Sequence, residues 1–396
     1  MITIIENPNN WQNLYNEIVV GVSGSNSTQP NFQFLCDVNV SGQTNPVTRL
    51  TYPKQPLVGT VQINIADVVK NYVTYDFNAF NTTALVKCSN SEAKYWLELG
   101  EIYDNVSGVP VIYANQAQYG TSGSPKSGSN AIFDFLNWSK TAFSTNKLLG
   151  ISNNVSLNDN SYREKIRANQ QRFLTFFSLA STDISIVDLT MYNSEGVSIY
   201  NNSYSSYTPQ TGIVALNIGD SMLDFFGASG YTSSASYYKV DIKDSGDDLV
   251  FTKTIDIDNS CAKYPTYRLH WLNSMGGFDA FNFNMVSIER TEIDSKEFKK
   301  IQALNYSKTD RLKTKYYTKL MESVLLNSDL LSDAEYAALE ELVFSPIVML
   351  ETSPSTYVPV NVVANNYVKR KYDQGRTIPN MELTIQYSFD NYRQSL

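Results

Sequence analysis

The sequence is poor in the residues that most often carry catalytic or metal chemistry. Its 396 residues include one histidine, His270, and three cysteines. One histidine cannot supply a multi-histidine zinc site, and a catalytic serine or cysteine would depend on that single ring as its base. Cys36, Cys88 and Cys261 are too few for a disulfide scaffold and lack C-x-x-C spacing. We expect three reduced, buried thiols; one disulfide with a free thiol is the alternative.

Charged residues are also scarce. They make up 18% of the chain against 42% hydrophobic residues, which predicts a folded rather than a disordered protein. Asp and Glu number 39 and Lys and Arg 31, so the net charge is −8. This balance argues against a protein that grips nucleic acid, because phosphate binding needs clustered Lys and Arg. No apolar run approaches the roughly 18 residues of a membrane span, and residues 1–8 lack the pattern of a signal peptide.

Aromatic and turn-forming residues are abundant instead. The 27 Tyr and 19 Phe favour strands, and the frequent Asn, Ser and Gly favour the turns between them. Apolar residues alternate over 32–40, the period of a half-buried strand. We predict a mainly β protein with two antiparallel β-sandwich-like domains, 1–140 and 141–305, and a C-terminal helix-and-strands module, 306–396. The Gly/Ser/Pro-rich run 120–129 is expected to be a linker or a long loop.

One helix is clearly signalled, near the C-terminus. Ser332 and Glu335 have the spacing of a capping box, in which each side chain hydrogen-bonds to the backbone amide of the other residue. Apolar residues then recur at helical spacing until Pro346. The pattern predicts a capped helix over 333–344, followed by closing strands.

Three groups of side chains are candidates for chemistry, and a structural role is favoured for each. His270 lies in a strand pattern without a second histidine or a paired cysteine beside it. The acidic run 241–258 lacks EF-hand spacing, so a solvated hairpin loop is favoured over a calcium site. Four tryptophans could stack on sugars, but such residues more often fill cores or interfaces; they are Trp11, Trp96, Trp138 and Trp271. We expect no catalytic, cofactor-binding or metal-binding residues, and therefore no enzyme.

The most distinctive segment is 267–283. It reads as a strand, a Gly-Gly turn that permits positive φ, and a second strand with phenylalanine at alternate positions. As a tight hairpin it contributes to the fold but does not indicate a function. The residues that define this motif are Trp271, Asn273, Gly276, Gly277, Phe278, Asp279, Phe281 and Phe283.

This hairpin resembles the L-N-x-x-G-G-[FWY]-D-x-[FY]-x-F pattern of tail-associated structural proteins in short-tailed phages of Bacteroidetes, including the crAss-like group. The segments 11–18, 61–69 and 95–103 are similar to the first domain of those proteins. The segment 332–346, followed by Val-Pro-Val at 358–360, looks like their closing module. One departure is the Ser after Asn273, where relatives often carry a basic residue.

The resemblance implies a virion component of the tail, or of its connector to the portal, made in the host cytoplasm and working as a ring or hub of many copies. The implied partners are further copies of the chain, other tail or portal proteins, and genomic DNA that passes through a channel without specific binding. An acidic channel wall would repel the phosphates and let the DNA slide. The runs 120–129 and 203–209 are expected to order only on assembly. A receptor- or carbohydrate-binding tail protein is the alternative, and a cell-wall glycosidase is a third class.

Overall fold

The computed structural model describes twenty segments of the chain. They are residues 1–7, 11–55, 58–77, 85–104, 107–121, 126–129, 148–149, 163–178, 184–205, 211–228, 231–261, 263–274, 276–301, 304–309, 311–331, 333–353, 356–363, 372–373, 376–377 and 380–392. The protein is mainly β, with several antiparallel sheets, as its composition predicts.

The strands are numbered in chain order. The first third contains β1 (Ile2–Glu6), β2 (Trp11–Asn13), β3 (Val19–Gly24), β4 (Gln33–Val40), β5 (Thr48–Pro53), β6 (Thr60–Asn64), β7 (Leu85–Lys87), β8 (Glu92–Asp104), β9 (Pro110–Tyr119) and β10 (Lys126–Ser129). The middle contains β11 (Leu148–Leu149), β12 (Glu164–Ile166), β13 (Phe173–Ser178), β14 (Ile186–Tyr192), β15 (Ser198–Tyr204), β16 (Gly212–Asn217), β17 (Tyr237–Lys243) and β18 (Leu249–Ile257).

The remaining elements follow in the same order. The last third contains β19 (Tyr267–Leu272), β20 (Phe278–Phe283), β21 (Ile288–Lys299), β22 (Lys313–Asn327), β23 (Val348–Ser353), β24 (Thr356–Val362), β25 (Tyr372–Asp373), β26 (Arg376–Thr377), β27 (Glu382–Tyr387) and β28 (Asn391–Tyr392). The helices are α1 (Ala66–Val69), α2 (Asp220–Phe225) and α3 (Asp333–Phe344), with 3₁₀ turns at Lys70–Tyr72 and Ser89–Ser91.

Two sheets form the first sandwich. One has the order β1-β3-β6 and the other β2-β10-β8-β4-β5, with β9 also paired to β8. Alternate residues of the facing strands point inward and are buried together; among them are Val20, Val22, Phe34, Val38, Ile63 and Leu97. Residues 126–129 of the run expected to be a loop form β10, which pairs with β2 in parallel and with β8.

The second sandwich follows the same logic. Its sheets are β11-β13-β16-β7 and β12-β18-β17-β14-β15. Strands β14 and β17 bury every second residue, whereas every residue of β13 and β16 is buried. A strand with both faces covered reads as a continuous apolar run. The β13–β16 sheet is therefore an inner layer, and its far face meets the rest of the molecule.

The C-terminal module is a single large sheet covered by α3. Its order is β20-β19-β23-β24-β27-β22-β21, with β28 also paired to β22. Leu339 and Leu342 of the helix pack with Trp271, Leu326 and Leu350 of the sheet. The helix has the predicted bounds and ends two residues before Pro346; Ser332, the proposed cap, lies outside the described residues.

The sheet order differs from the predicted grouping of the chain in two places. Strand β7, which the sequence groups with the first domain, pairs with β16 in the second sandwich. Residue 305 lies between β21 and β22, which pair with each other along the whole of β21. Strands β19 to β21 share the C-terminal sheet, although the sequence groups them with the second sandwich. The reason is non-local pairing, since β19 joins β23 and β22 joins β27 across more than fifty residues each.

Candidate functional site: an ionic joint and a hairpin arm

Strand β19 presents different chemistry on its two faces. Successive side chains of a strand point to opposite sides of the sheet. Leu269 and Trp271 enter the core beneath α3. Arg268 and His270 face the second sandwich, where they approach Gln171 and Phe173. Because the strand is covered on both sides, it carries an arginine and a histidine into the interior.

The turn between β19 and β20 encloses a buried carboxylate. Gly276 has a φ of 83°, a left-handed conformation that glycine adopts without strain. Asn273 accepts a hydrogen bond from the backbone N–H of Gly277 at 2.9 Å and donates to Asp279 at 2.9 Å. The spacing of these residues in the motif thus fixes the position of Asp279.

The motif phenylalanines pack the two sides of the same hairpin. Phe283 is buried beneath α3, and the ring centroid of Phe281 lies 5.3 Å from it. Phe278 packs against Phe77, with ring centroids 4.7 Å apart. The hairpin is therefore held between the C-terminal core and an aromatic group that includes a residue of the first third of the chain.

Arg172, the residue before β13, enters the turn of this hairpin. Its guanidinium lies 2.7 Å from Glu164 Oε2 and 3.3 Å from Asp279 Oδ1. It also donates to the backbone carbonyl of Phe278 at 2.9 Å. The hairpin motif at 267–283 thus binds Arg172 of the second sandwich.

A second arginine extends the contact between the two sheets. Arg268 donates to the backbone carbonyl of Gln171 at 3.0 Å and lies 3.4 Å from Glu164. Glu351 of β23 accepts from the backbone N–H of Gln171 at 3.0 Å and lies 2.7 Å from Nε2 of His270. Glu164 is therefore shared by two guanidinium groups.

We call Glu164, Arg172, Arg268, Asp279 and Glu351 the ionic joint. Each of these side chains is at most 4% exposed. Burial would raise the pKa of Glu164, but the nearby cations, Arg172 first, outweigh burial and lower it. Burial raises the pKa of Asp279 to about 6 and that of Glu351 to about 7. The joint thus holds one firmly ionised carboxylate and two that titrate near neutral pH.

His270 lies beside the joint as a neutral ring. Burial, and then the positive charges of Arg268 and Arg172, lower its pKa well below the usual value. Its ring meets Phe77 and Tyr357 edge-on, with centroids 5.7 and 5.3 Å away. This is the environment of a core side chain, which the sequence pattern around His270 favours.

The chemistry of the joint is that of a structural connection. Shifted pKa values often mark active sites, but a catalytic acid or base must reach a substrate within hydrogen-bond distance. Here Glu164 and Asp279 are sealed from solvent and bonded to Arg172. Sequence reasoning missed Glu164, Arg172, Arg268 and Glu351. One signal was available, because a charged residue next to or within an apolar strand is buried only when it is paired.

A second feature is the far end of the hairpin formed by β21 and β22. Strand β22 pairs with β27 at residues 323–327 and with β28 at residues 319 and 320. Residues 313–318 pair with β21 alone among the described strands. We call residues 295–318 the hairpin arm. At about 3.4 Å per residue these six residues of β22 extend roughly 20 Å past its pairing with β28.

Exposed apolar side chains are concentrated at the end of the hairpin arm. Ile301 and Leu304 are fully exposed, at 100% and 102%, and Tyr306 is 54% exposed. Phe298 and Tyr316, each more than 40% exposed, lie with ring centroids 6.1 Å apart. The arm also carries seven Lys and Arg against two acidic residues, a net charge of +5. Because the whole chain has −8, the other 372 residues carry −13.

The acidic run 241–258 forms the β17–β18 hairpin. Asp244 accepts hydrogen bonds from the backbone N–H groups of Gly246 and Asp248, at 2.8 and 3.0 Å. Asp247, in the left-handed region at a φ of 67°, pairs with Lys243 at 2.9 Å. This is a solvated turn. In the part of the chain that the structure describes, no group of three or more His, Cys, Asp or Glu side chains could hold a metal ion.

The cysteines and tryptophans are placed separately. Cys36 and Cys88 are buried, which raises the pKa of each thiol to about 12. Cys261 is exposed, because it follows β18 in a surface loop, so the expectation of three buried thiols is wrong there. Trp271 fills the C-terminal core, Trp11 packs on Phe177 at 4.3 Å, and Trp96 in β8 is half-buried. Trp138 lies outside the described residues.

No protein-family model matches the chain, and no curated protein matches it. The resemblance to phage tail proteins therefore stays an expectation that the motifs at 267–283 and 332–346 carry. None of the helices in the described segments is long and apolar enough to cross a membrane.

Proposed function

We propose that the protein is a structural subunit of a phage virion that forms a ring or hub in the tail or at the portal–tail connector. The observation that carries the proposal is the hairpin arm. Among the described strands, residues 313–318 pair with β21 alone, and a two-stranded ribbon is at best marginally stable in water. Its fully exposed Ile301 and Leu304 would gain stability by burial against another protein. An arm of this kind is expected in a subunit that works in contact with neighbours.

The ionic joint supports the same role. It ties the second sandwich to the sheet from which the arm extends, through Arg172 and Arg268. A buried network whose members are mutually satisfied holds one arrangement of its elements. A ring subunit needs such rigidity, because small angular errors between subunits add up around a ring and prevent closure.

The charge distribution fits a conduit for DNA. Outside the hairpin arm the chain carries −13, and an acidic wall repels phosphates and lets a duplex slide. The proposal therefore places the protein in the virion, with further copies of itself and other tail or portal proteins as partners, and assigns it no catalytic role. A basic lumen in an assembled ring would contradict the proposal that an acidic channel wall lets DNA slide.

The test is the mass of the purified protein in solution, with particle imaging of the oligomer. A closed ring supports the proposal, whereas a stable trimer with binding on a glycan array would favour a receptor-binding tail protein instead. A monomer is next mixed with the portal and the neighbouring tail proteins of the same phage. If it then binds none of them, the proposal is withdrawn.

A further inference from the structure

The C-terminal third of the chain separates its charges along the sequence. The hairpin arm carries +5, whereas residues 320–368 contain seven acidic residues and no Lys or Arg. Five of the seven acids lie in residues 329–344, which hold α3. We call residues 329–344 the acidic end. The two segments are thus electrostatically complementary.

The two segments lie at opposite ends of one strand. Strand β22 begins at Lys313 beside the arm tip and ends at Asn327, six residues before α3 begins. Its 15 residues span roughly 45 Å. Leu331 and Leu339 pack with Leu326 near the end of this strand, so the helix is held at the base of the arm. The arm tip of one chain therefore cannot reach the acidic end of the same chain.

The acidic end also exposes apolar side chains. Leu330, three residues before α3, is 73% exposed, and Phe344, the last residue of α3, is 71% exposed. The arm tip presents Ile301 and Leu304 with basic residues around them. Apolar side chains surrounded by charges of opposite sign on the two surfaces are the arrangement of a protein interface with a polar rim.

We propose that the tip of the hairpin arm docks on the acidic end of a second copy of this chain. The inference rests on the proposed ring function and names the two surfaces that meet. Because these surfaces differ, the contact is heterologous, and repeated head to tail it closes into a ring when the rotation allows. Each subunit then gives one arm and receives one.

Two other uses of the arm are less consistent with its residues. Addition of a strand to the open edge of β21 is opposed by the charges along it, which natural proteins use to prevent edge pairing. Binding to DNA would use the lysines but leave Ile301 and Leu304 without a role, since phosphates are bound by cations and N–H donors. Binding to DNA is an outcome of the test below.

The experiment is a charge swap on the full chain. The arm variant carries Lys308→Glu and Lys313→Glu, both at exposed positions, and the helix variant carries Glu335→Lys and Glu340→Lys. Each variant alone should self-associate about tenfold more weakly in sedimentation equilibrium, because the reversed side chains then face like charges, while the net charge falls from +5 to +1 on the arm or from −5 to −1 on the acidic end. A 1:1 mixture should restore assembly, since the reversed side chains of the arm variant then meet the reversed side chains of the helix variant, and the unchanged arm meets the unchanged acidic end. Lys94→Glu with Lys263→Glu is the matched control and should leave self-association unchanged.

The outcomes separate this inference from the proposed function. Wild-type rings whose stability is unchanged in both variants overturn the docking contact and leave the ring proposal standing. Rings lost in either variant and not restored by mixing also overturn it, as does a wild-type chain that stays monomeric at low salt. Loss of binding to a fluorescent DNA duplex in the arm variant, with assembly intact, assigns the arm to DNA. Ile301→Asp with Leu304→Asp should weaken assembly without a change in the circular dichroism of the chain.

Discussion

The ionic joint and the hairpin arm use the same kinds of residue in opposite surroundings. In the joint, Arg172 and Arg268 are 1% exposed and bonded to fixed partners. In the arm, Lys308 and Lys313 lie in solvent at the end of a ribbon. A buried charge that loses its partner is costly, whereas an exposed charge contributes little to folding. Burial therefore makes the joint a determinant of the fold and leaves the arm available for contacts between molecules.

The largest effect that tests this contrast is expected at Arg172. Arg172→Met leaves Asp279 buried without a guanidinium partner and Glu164 with that of Arg268 alone, so the free energy of unfolding should fall by about 3–5 kcal/mol in urea denaturation. Arg290→Met, at an exposed position of β21, is the matched control and should change it by less than about 0.5 kcal/mol. Similar losses of unfolding free energy in both variants would contradict the contrast between the buried joint and the exposed arm.

The pH dependence of the joint gives the next test. Burial raises the pKa of Glu351 from 4.5 to about 7, so the folded state holds this proton more tightly than the unfolded state. The stability that the proton contributes is complete below the unfolded pKa and is lost as the pH rises through the folded pKa. Glu351→Gln removes this titration. The unfolding free energy of the variant relative to wild type should therefore rise from about pH 5 to about pH 8.

The control for the pH test is Glu292→Gln, at an exposed position of β21. Its unfolding free energy relative to wild type should stay the same across the same range, as measured in urea. A Glu351→Gln profile parallel to that of wild type would mean that the carboxyl of Glu351 is not protonated more easily in the folded protein.

A smaller loss is expected at the turn motif. Asn273→Ala removes the acceptor for the N–H of Gly277 and one donor to Asp279, and both partners are buried. Leaving such groups unsatisfied should lower the unfolding free energy by about 1–3 kcal/mol. Asn305→Ala in the exposed part of the arm is the control and should be neutral. An unchanged unfolding free energy for Asn273→Ala would show that the turn motif does not stabilise the ionic joint.

The smallest effect on folding is expected for the arm tip. Ile301→Asp with Leu304→Asp should leave the unfolding free energy within about 0.5 kcal/mol of wild type, because both side chains are exposed. Raising NaCl from about 0.05 to about 0.5 M should weaken self-association, since exposed charges are screened, yet preserve the cost of Arg172→Met. Self-association that does not change with salt would show that the charges of the arm do not contribute to assembly.

Local patterns predicted the elements that depend on neighbouring residues. The helix Asp333–Phe344 has the expected bounds, because helical spacing and Pro346 act within a few residues. The hairpin around Gly276 formed as predicted, because its turn needs only a positive φ and alternate apolar residues.

Long-range pairing and exposed strands were not predicted from the sequence. Arg172 meets Asp279 across 107 residues, a separation that no local period reports. The arm was missed for a different reason. Strand β21 is exposed on both faces, so its sequence lacks the apolar alternation by which strands are recognised. Its charged alternation was the available signal, because such residues are typical of unprotected edges.

The length of β22 has a mechanical consequence. The strand runs from the arm tip to the base and is hydrogen-bonded to β21, β27 and β28. A force that pulls the tip along the strand axis loads its hydrogen bonds to β27 and β28 in shear, so that they must break together rather than one after another. Unfolding under such a load is governed by the barrier to that concerted rupture. In the proposed assembly, in which the arm tip of one copy docks on the acidic end of the next, β22 would therefore also carry the tension between neighbouring subunits.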